Sequence, residues 1–190
     1  IDASGRLVAP GFIDVHSHGN PLHTPQFENF LAQGVTTITL GQDGASPDTE
    51  DLSDWMEQVG DQGIGVNLAM FVGHGTLREL SGIGRNPEPG PDAMQRMLEL
   101  LDRNLKVAFG LSTGLEYTPG LYADSSELLA LAETVGRNNR VIMSHMRNED
   151  DDQIEASMAE LIAQGEYAPV HIAHMKSVYG KGAARAEELL

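Results

Sequence analysis

Six short apolar runs recur along the chain, each rich in Val, Ile, Leu, Met or Phe and each ending in Gly, His or a charged residue: 11–18, 35–43, 65–74, 107–117, 140–147 and 169–176. Their length and composition read as strands. Between them lie helical patterns. PDAMQRMLELLDRN (91–104) opens on Pro and Asp and repeats apolar residues at Met94, Met97, Leu98 and Leu101, a helix start followed by a 3.6-residue stripe. SSELLALAETVGR (125–137) and DDQIEASMAELIAQG (151–165) do the same, the second closing on Gly165 as a C-cap. Strands alternating with helices imply right-handed crossovers and a parallel sheet. That leaves an open doubly wound sheet or a closed barrel of eight βα units.

The residues that end the strands separate these two. No G-x-G-x-x-G follows the first run, which weakens a dinucleotide fold. Polar groups instead follow many different strands: His16 and His18 the first, Asp43 the second, His74 the third, Glu116 and Tyr117 the fourth, His145 and Arg147 the fifth, His174 and Lys176 the sixth. Chemistry at the carboxyl ends of successive strands is the layout of a TIM barrel. The expected fold is therefore α/β, a partial (β/α)8 barrel with about six of its units present. A sheet two strands short has two free edges, through which the chain alone is expected to associate.

The charge balance narrows the partners. With 28 acidic and 12 basic side chains the formal net charge is −16, which repels nucleic-acid phosphate and anionic membranes. No apolar run approaches the roughly 20 residues needed to span a bilayer. A cytoplasmic location is the expectation. The absence of cysteine excludes disulfides and thiolate chemistry and leaves His, Asp and Glu as the good metal ligands.

Alternation in a strand puts Asp14, His16 and His18 on one side, where two imidazoles can hold one metal. An isolated H-x-H is more often a solvated pair, and a single His at a strand end is more often simply hydrogen-bonded. Histidines at four equivalent places (His16 with His18, then His74, His145 and His174) are harder to read that way. Two or more histidines with a carboxylate leave an open position for a water whose pKa falls toward about 7. Asp14 either orients one of the pair or makes a turn contact. His174 and His171 differ in parity, so in a regular strand His171 faces the helices and adds no ligand. Glu116 and Tyr117 also differ in parity, so a regular strand aims one of them inward. Glu116 bridges metals or caps a turn. His74, flanked by glycines, touches substrate or serves a turn, and His23 is a solvated loop residue. Asp43 among glycines reads first as turn chemistry.

VAPGFIDVHSHGN, GVTTITLGQDG, FVGHGTLR, GLSTGLEYTPG, SHMRNE and HIAHMKS, in that order, resemble the N-acyl-D-amino-acid deacylase (D-aminoacylase) branch of the amidohydrolase superfamily over nearly the whole chain. The H-x-H indicates only the superfamily; FVGHGTLR and GLSTGLEYTPG narrow it to this branch. The resemblance implies a zinc enzyme, with one or two ions, that hydrolyses the amide of a small N-acyl-D-amino acid by a metal-activated water. It implies His16 and His18 as first-strand ligands and His145 and His174 as ligands of the tighter metal; Glu116 stays a further candidate from its place after the fourth strand. Tyr117 and Lys176 match side chains that grip the substrate carboxylate; His74 and Arg147 are further candidate substrate contacts from their places at strand ends. Where the family has G-N-C-G with a ligating Cys, this chain has GQDG, which raises Asp43 from turn residue to metal ligand and hardens the site.

The resemblance also implies that residues 1–10 are the tail of a β-sandwich and 11–190 the first part of the catalytic barrel. The superfamily's general-base Asp follows the eighth strand, so it is expected beyond these residues and the isolated chain is expected to be inactive. Dihydroorotase-like or dipeptidase-like amidohydrolases share H-x-H and the later histidines, and a non-catalytic metal-binding module is the alternative of another class.

Overall fold

A computed structural model describes residues 2–178 and 180–190. Six parallel strands form one sheet in chain order: β1 (Phe12–Asp14), β2 (Val35–Leu40), β3 (Asn67–Gly73), β4 (Gly110–Gly114), β5 (Val141–His145) and β6 (Val170–Ile172). Each strand pairs in parallel with the next. The intervening helices are α1 (Glu28–Leu31), α2 (Leu52–Gln62), α3 (His74–Leu80), α4 (Pro91–Asn104), α5 (Ser125–Arg137) and α6 (Ile154–Gln164), and α7 (Ala183–Leu189) follows β6. No helix among the described residues is long and apolar enough to cross a membrane.

The sheet curls strongly. Strands β1 and β6 stand five spacings apart, which in a flat sheet is about 24 Å. The rings of His16, just past β1, and His174, just past β6, nevertheless meet with centroids 5.3 Å apart. The sheet is thus half of a barrel, as its strand-end chemistry implied.

Strand alternation divides the core into two faces. Ile38, Leu40, Met70, Val72, Leu111 and Ile142 point outward, where Met97, Leu100, Leu101, Leu131 and Val135 of α4 and α5 cover them. The concave face carries Phe71, Val141 and Met143, and Phe109 stacks edge-on against Phe71. That face borders an apolar cavity of about 620 Å³, and Ile13, Val15 and Phe109 there are half exposed or more. His145 shares the parity of Val141 and Met143, so β5 delivers it to the concave side.

Helices α4 and α5 run over the residues the periodicity marks. Pro91 occupies the first turn of α4 after Gly90, and Asp124 caps α5 by accepting from Glu127 N at 2.9 Å. The helix expected from 151, α6, begins at Ile154 after a turn in which Asp150 O accepts from Gln153 N and Ile154 N at 2.9 Å, with Gln153 in non-helical backbone (φ −120°). Gly165 does follow it, but in right-handed backbone (φ −62°), so no left-handed cap forms. The strands end sooner than their apolar runs, which continue into irregular backbone at the rim.

That backbone is packed against itself at glycines. A Cβ on Gly114 would lie 2.1 Å from the carbonyl oxygen of Asp43. Gly114→Ala is expected to cost about 1–3 kcal/mol through overpacking and to displace the Asp43 loop. Gly60→Ala, inside α2 with nothing within 4 Å, is expected to gain up to about 1 kcal/mol. Denaturant melts of the two variants check the contrast.

Candidate metal centre

Asp43 occupies the middle of the carboxyl-end rim. The loop after β2, Gly41-Gln42-Asp43-Gly44, is left-handed at Gly41, Asp43 and Gly44 (φ 82°, 53° and 78°). Asp tolerates that region better than most residues, which explains Asp rather than a bulkier acid at this turn. The loop is held from inside the sheet: Ser112 Oγ donates to Gly41 O and accepts from Gly44 N, and Gln42 Nε2 donates to Thr39 Oγ1 at 2.8 Å and Val15 O at 3.2 Å.

Four imidazoles converge on the Asp43 carboxylate from three other strand ends. His16 Nε2 and His18 Nε2 lie 3.2 and 3.1 Å from Oδ2, and His145 Nδ1 and His174 Nε2 lie 3.7 and 3.8 Å from Oδ1. The rings touch edge to face, with centroids 5.3 Å apart for His16–His18 and 4.4 Å for His145–His174. His145 is buried and His18 largely exposed, so the cluster opens on one side to solvent.

Burial by itself pushes the Asp43 carboxyl up, but interaction with His145, and the charge of and hydrogen bond to His16, outweigh it and lower its pKa to about 2. Burial likewise pulls His145 down, and Asp43, Glu116 and Glu149 more than offset it, leaving His145 raised above an ordinary histidine. The Tyr117 hydroxyl is pushed up by burial and then by the charges of Asp43, Glu116 and Glu149, so it remains a donor at neutral pH.

Around this centre the other rim residues take distinct places. Glu116 and Tyr117 lie past the end of β4, so strand parity does not divide them, and both reach His145: Glu116 Oε2 is 2.8 Å from Nε2 and the Tyr117 hydroxyl 3.3 Å from Nδ1, with the Tyr117 ring against the imidazole. Lys176 is half exposed and pairs with Glu149, which also faces His174 Nδ1 at 3.1 Å. Glu149 was not among the residues the sequence singled out; its only signal is an acid four residues beyond His145, at the head of a charged run that reads as a helix start. Asp14 makes the turn contact, accepting from His16 N at 3.1 Å.

Three expectations change. His74 does not face the rim: it is fully buried at the start of α3, its Nε2 2.7 Å from Glu127 Oε1, with the equally buried Arg78 bonding both oxygens of that carboxylate. The triad ties α3 to α5. Arg147 spends its guanidinium on Glu160 and on the carbonyls of Leu121 and Ala123 at 2.9 Å, clamping the loop after β4 to α6. His171 lines the concave cavity rather than the helix side, because within β6 it stands opposite Met143; parity counted from His174 misplaces it since the chain turns there (φ 38°). It still contributes nothing to the cluster.

No family model matches the chain. It is 34% identical to an N-acyl-D-glutamate deacylase of Alcaligenes xylosoxydans xylosoxydans over 97% of this chain and 43% of that protein. An N-acyl-D-aspartate deacylase of the same organism is 31% identical, over 100% and 43%. A crystal structure of N-acyl-D-glutamate deacylase from Bordetella bronchiseptica, complexed with zinc and a phosphonate mimic of the reaction's tetrahedral intermediate, superposes with a TM-score of 0.91 at 31% identity, covering 99% of this chain and 45% of that one. The chain belongs to the N-acyl-D-amino-acid deacylase (D-aminoacylase) family. It spans less than half the length of these relatives.

For a chain of the D-aminoacylase family, the relevant question is whether these residues fit a metal. Ligands at 2.0–2.2 Å around one tetrahedral zinc stand about 3.3–3.6 Å from each other. Separations of 3.1–3.8 Å around Asp43 have that scale. Asp43 Oδ1 and His16 Nδ1 are buried without a hydrogen-bond partner, the first of them on the side where His145 and His174 converge. Imidazole nitrogens with one carboxylate suit zinc and divalent ions of similar hardness.

Asp43→Asn keeps a residue suited to left-handed backbone while removing the charge. It is expected to leave folding intact and to lower bound zinc well below the wild-type stoichiometry on elemental analysis. His74→Gln is expected to do the reverse, costing about 1–3 kcal/mol of stability with zinc content unchanged.

Proposed function

We propose that the protein containing this chain hydrolyses the amide of N-acyl-D-amino acids, with zinc held by His16, His18, Asp43, His145 and His174. The observation that carries this reading is the convergence of four imidazoles from the ends of β1, β5 and β6 on the single carboxylate from the end of β2. The names and the bound zinc of the similar proteins support it.

Zinc, when bound, supplies Lewis acidity that makes water a nucleophile near neutral pH and stabilises charge developing on an acyl oxygen. The remaining work falls to side chains. A cavity of about 480 Å³ opens beside Asp43 between the β2 and β4 loops, bordered by Gly44, Gly75, Gly114 and Tyr117. Glycines there let a planar amide approach the loop backbone closely. Lys176 is the cationic anchor nearest the cluster, half exposed and able to share its ammonium between Glu149 and a substrate carboxylate. The Tyr117 hydroxyl, kept protonated by its surroundings, is a second donor to that anion. Glu116 on His145 Nε2 orients that ring. His74 and Arg147, engaged internally, are assigned structural roles.

Hydrolysis of an acyl-D-amino acid panel beside the L series and cyclic amides tests the reading. Zinc-loaded protein is expected to release amine from the D series, to lose that activity with a chelator, and to lose it in His16→Ala and His145→Ala. Turnover that survives both substitutions, or a preference for cyclic amides, would overturn it.

A further inference from the structure

Glu149 stands behind the metal centre on the loop leaving β5, with its side chain 6% exposed. Two groups hold it: His174 Nδ1 lies 3.1 Å from Oε1, and Lys176 Nζ donates to Oε2. A carboxyl group so buried needs partners for both oxygens, and these two groups supply them. Lys176 Nζ, itself a donor, also lies 3.4 Å from Nδ1, but the shorter contact is to the Glu149 oxygen, an acceptor that is matched by a hydrogen on Nδ1. In the neutral ring that leaves the lone pair on Nε2, the atom turned toward Asp43 Oδ1 at 3.8 Å.

His174 needs such a hold. It lies beyond the last residue of β6 in left-handed backbone, so sheet geometry does not fix the direction of its ring. Asp43 and Glu149 engage its two nitrogens separately, Nε2 and Nδ1. Donor atoms of Glu149, His145 and His174 also fall within 4.8 Å of one another, a spacing that would admit Glu149 as a ligand itself. Against that, both of its oxygens are already engaged, one by an ammonium.

We propose that Glu149 is a positioning residue: it locks His174 in the Nδ1–H tautomer and aims the Nε2 lone pair into the cluster, while Lys176 holds the other Glu149 oxygen. The inference rests on the zinc reading above. It also couples two functions, because a substrate carboxylate drawn to Lys176 competes for the cation that stabilises the support of His174.

The test is ¹⁵N-histidine NMR of the metal-free protein at about pH 8.5, where an ordinary imidazole is neutral, together with zinc affinity by competition against a chromophoric chelator. In the wild type, His174 is expected to show a protonated Nδ1 and an unprotonated Nε2. Glu149→Leu is expected to lose that tautomer and to weaken zinc binding about 10- to 100-fold. Glu149→Gln, whose amide oxygen still accepts, is expected to restore part of both. A proton on Nε2 of His174 in the wild type, or wild-type zinc affinity in folded Glu149→Leu, would overturn the proposal. Should the Leu variant not fold, the wild-type spectrum and the Gln variant decide. Absence of zinc binding by the wild type would instead overturn the zinc reading, while the spectrum still answers for Glu149.

Discussion

The rim of this half-barrel is organised by the need to keep one half-buried carboxylate charged. Asp43 is held partly out of water by a loop of left-handed residues that Ser112 and Gln42 fasten to the sheet. A carboxylate in that position is costly unless positive charge or N–H donors surround it. The structure supplies imidazoles from both flanks of the curled sheet, and without the curl β1 and β6 would be too far apart to share it. Sheet curvature, the glycine-rich β2 loop and the depressed pKa of Asp43 are thus parts of one arrangement.

The same arrangement accounts for the distribution of acids around the histidines. In a chain of net charge −16, local negative charge would ordinarily be a burden. Here Glu116 and Glu149 each bond the nitrogen of a histidine that does not face Asp43, leaving the facing nitrogen to the cluster. The cations are placed with equal economy. Arg78 and Arg147 are consumed in joining helices and loops, which leaves Lys176 as the ammonium beside the rim.

Much of this was legible in the residues themselves. Six apolar runs gave six strands, and α4 and α5 follow their 3.6-residue stripes because nothing tertiary overrides them. Asp43, His145 and His174 were visible as polar punctuation at strand ends. Parity arguments fared worse at the rim, since they assume regular strands. Strand β4 ends at Gly114 and β6 at Ile172, so Glu116, Tyr117 and His174 are set by turns that alternation does not describe, and His171, inside β6 opposite Met143, could not be placed by its spacing from His174. His74 looked like its neighbours in the ring of strand-end chemistry, but its partner Glu127 lies 53 residues away on α5, a pairing invisible before the fold is known. Glu149 was hidden by the acids that follow it.

As proposed, the four imidazoles and Asp43 form one metal-binding centre without sulfur. X-ray absorption at the zinc edge of the zinc-loaded protein tests it most directly. A first shell of nitrogen and oxygen at about 2.0–2.2 Å is expected, with imidazole outer-shell scattering that is partly lost in His16→Ala and His174→Ala. A shell of water oxygens alone, or a spectrum unchanged by both substitutions, would contradict it.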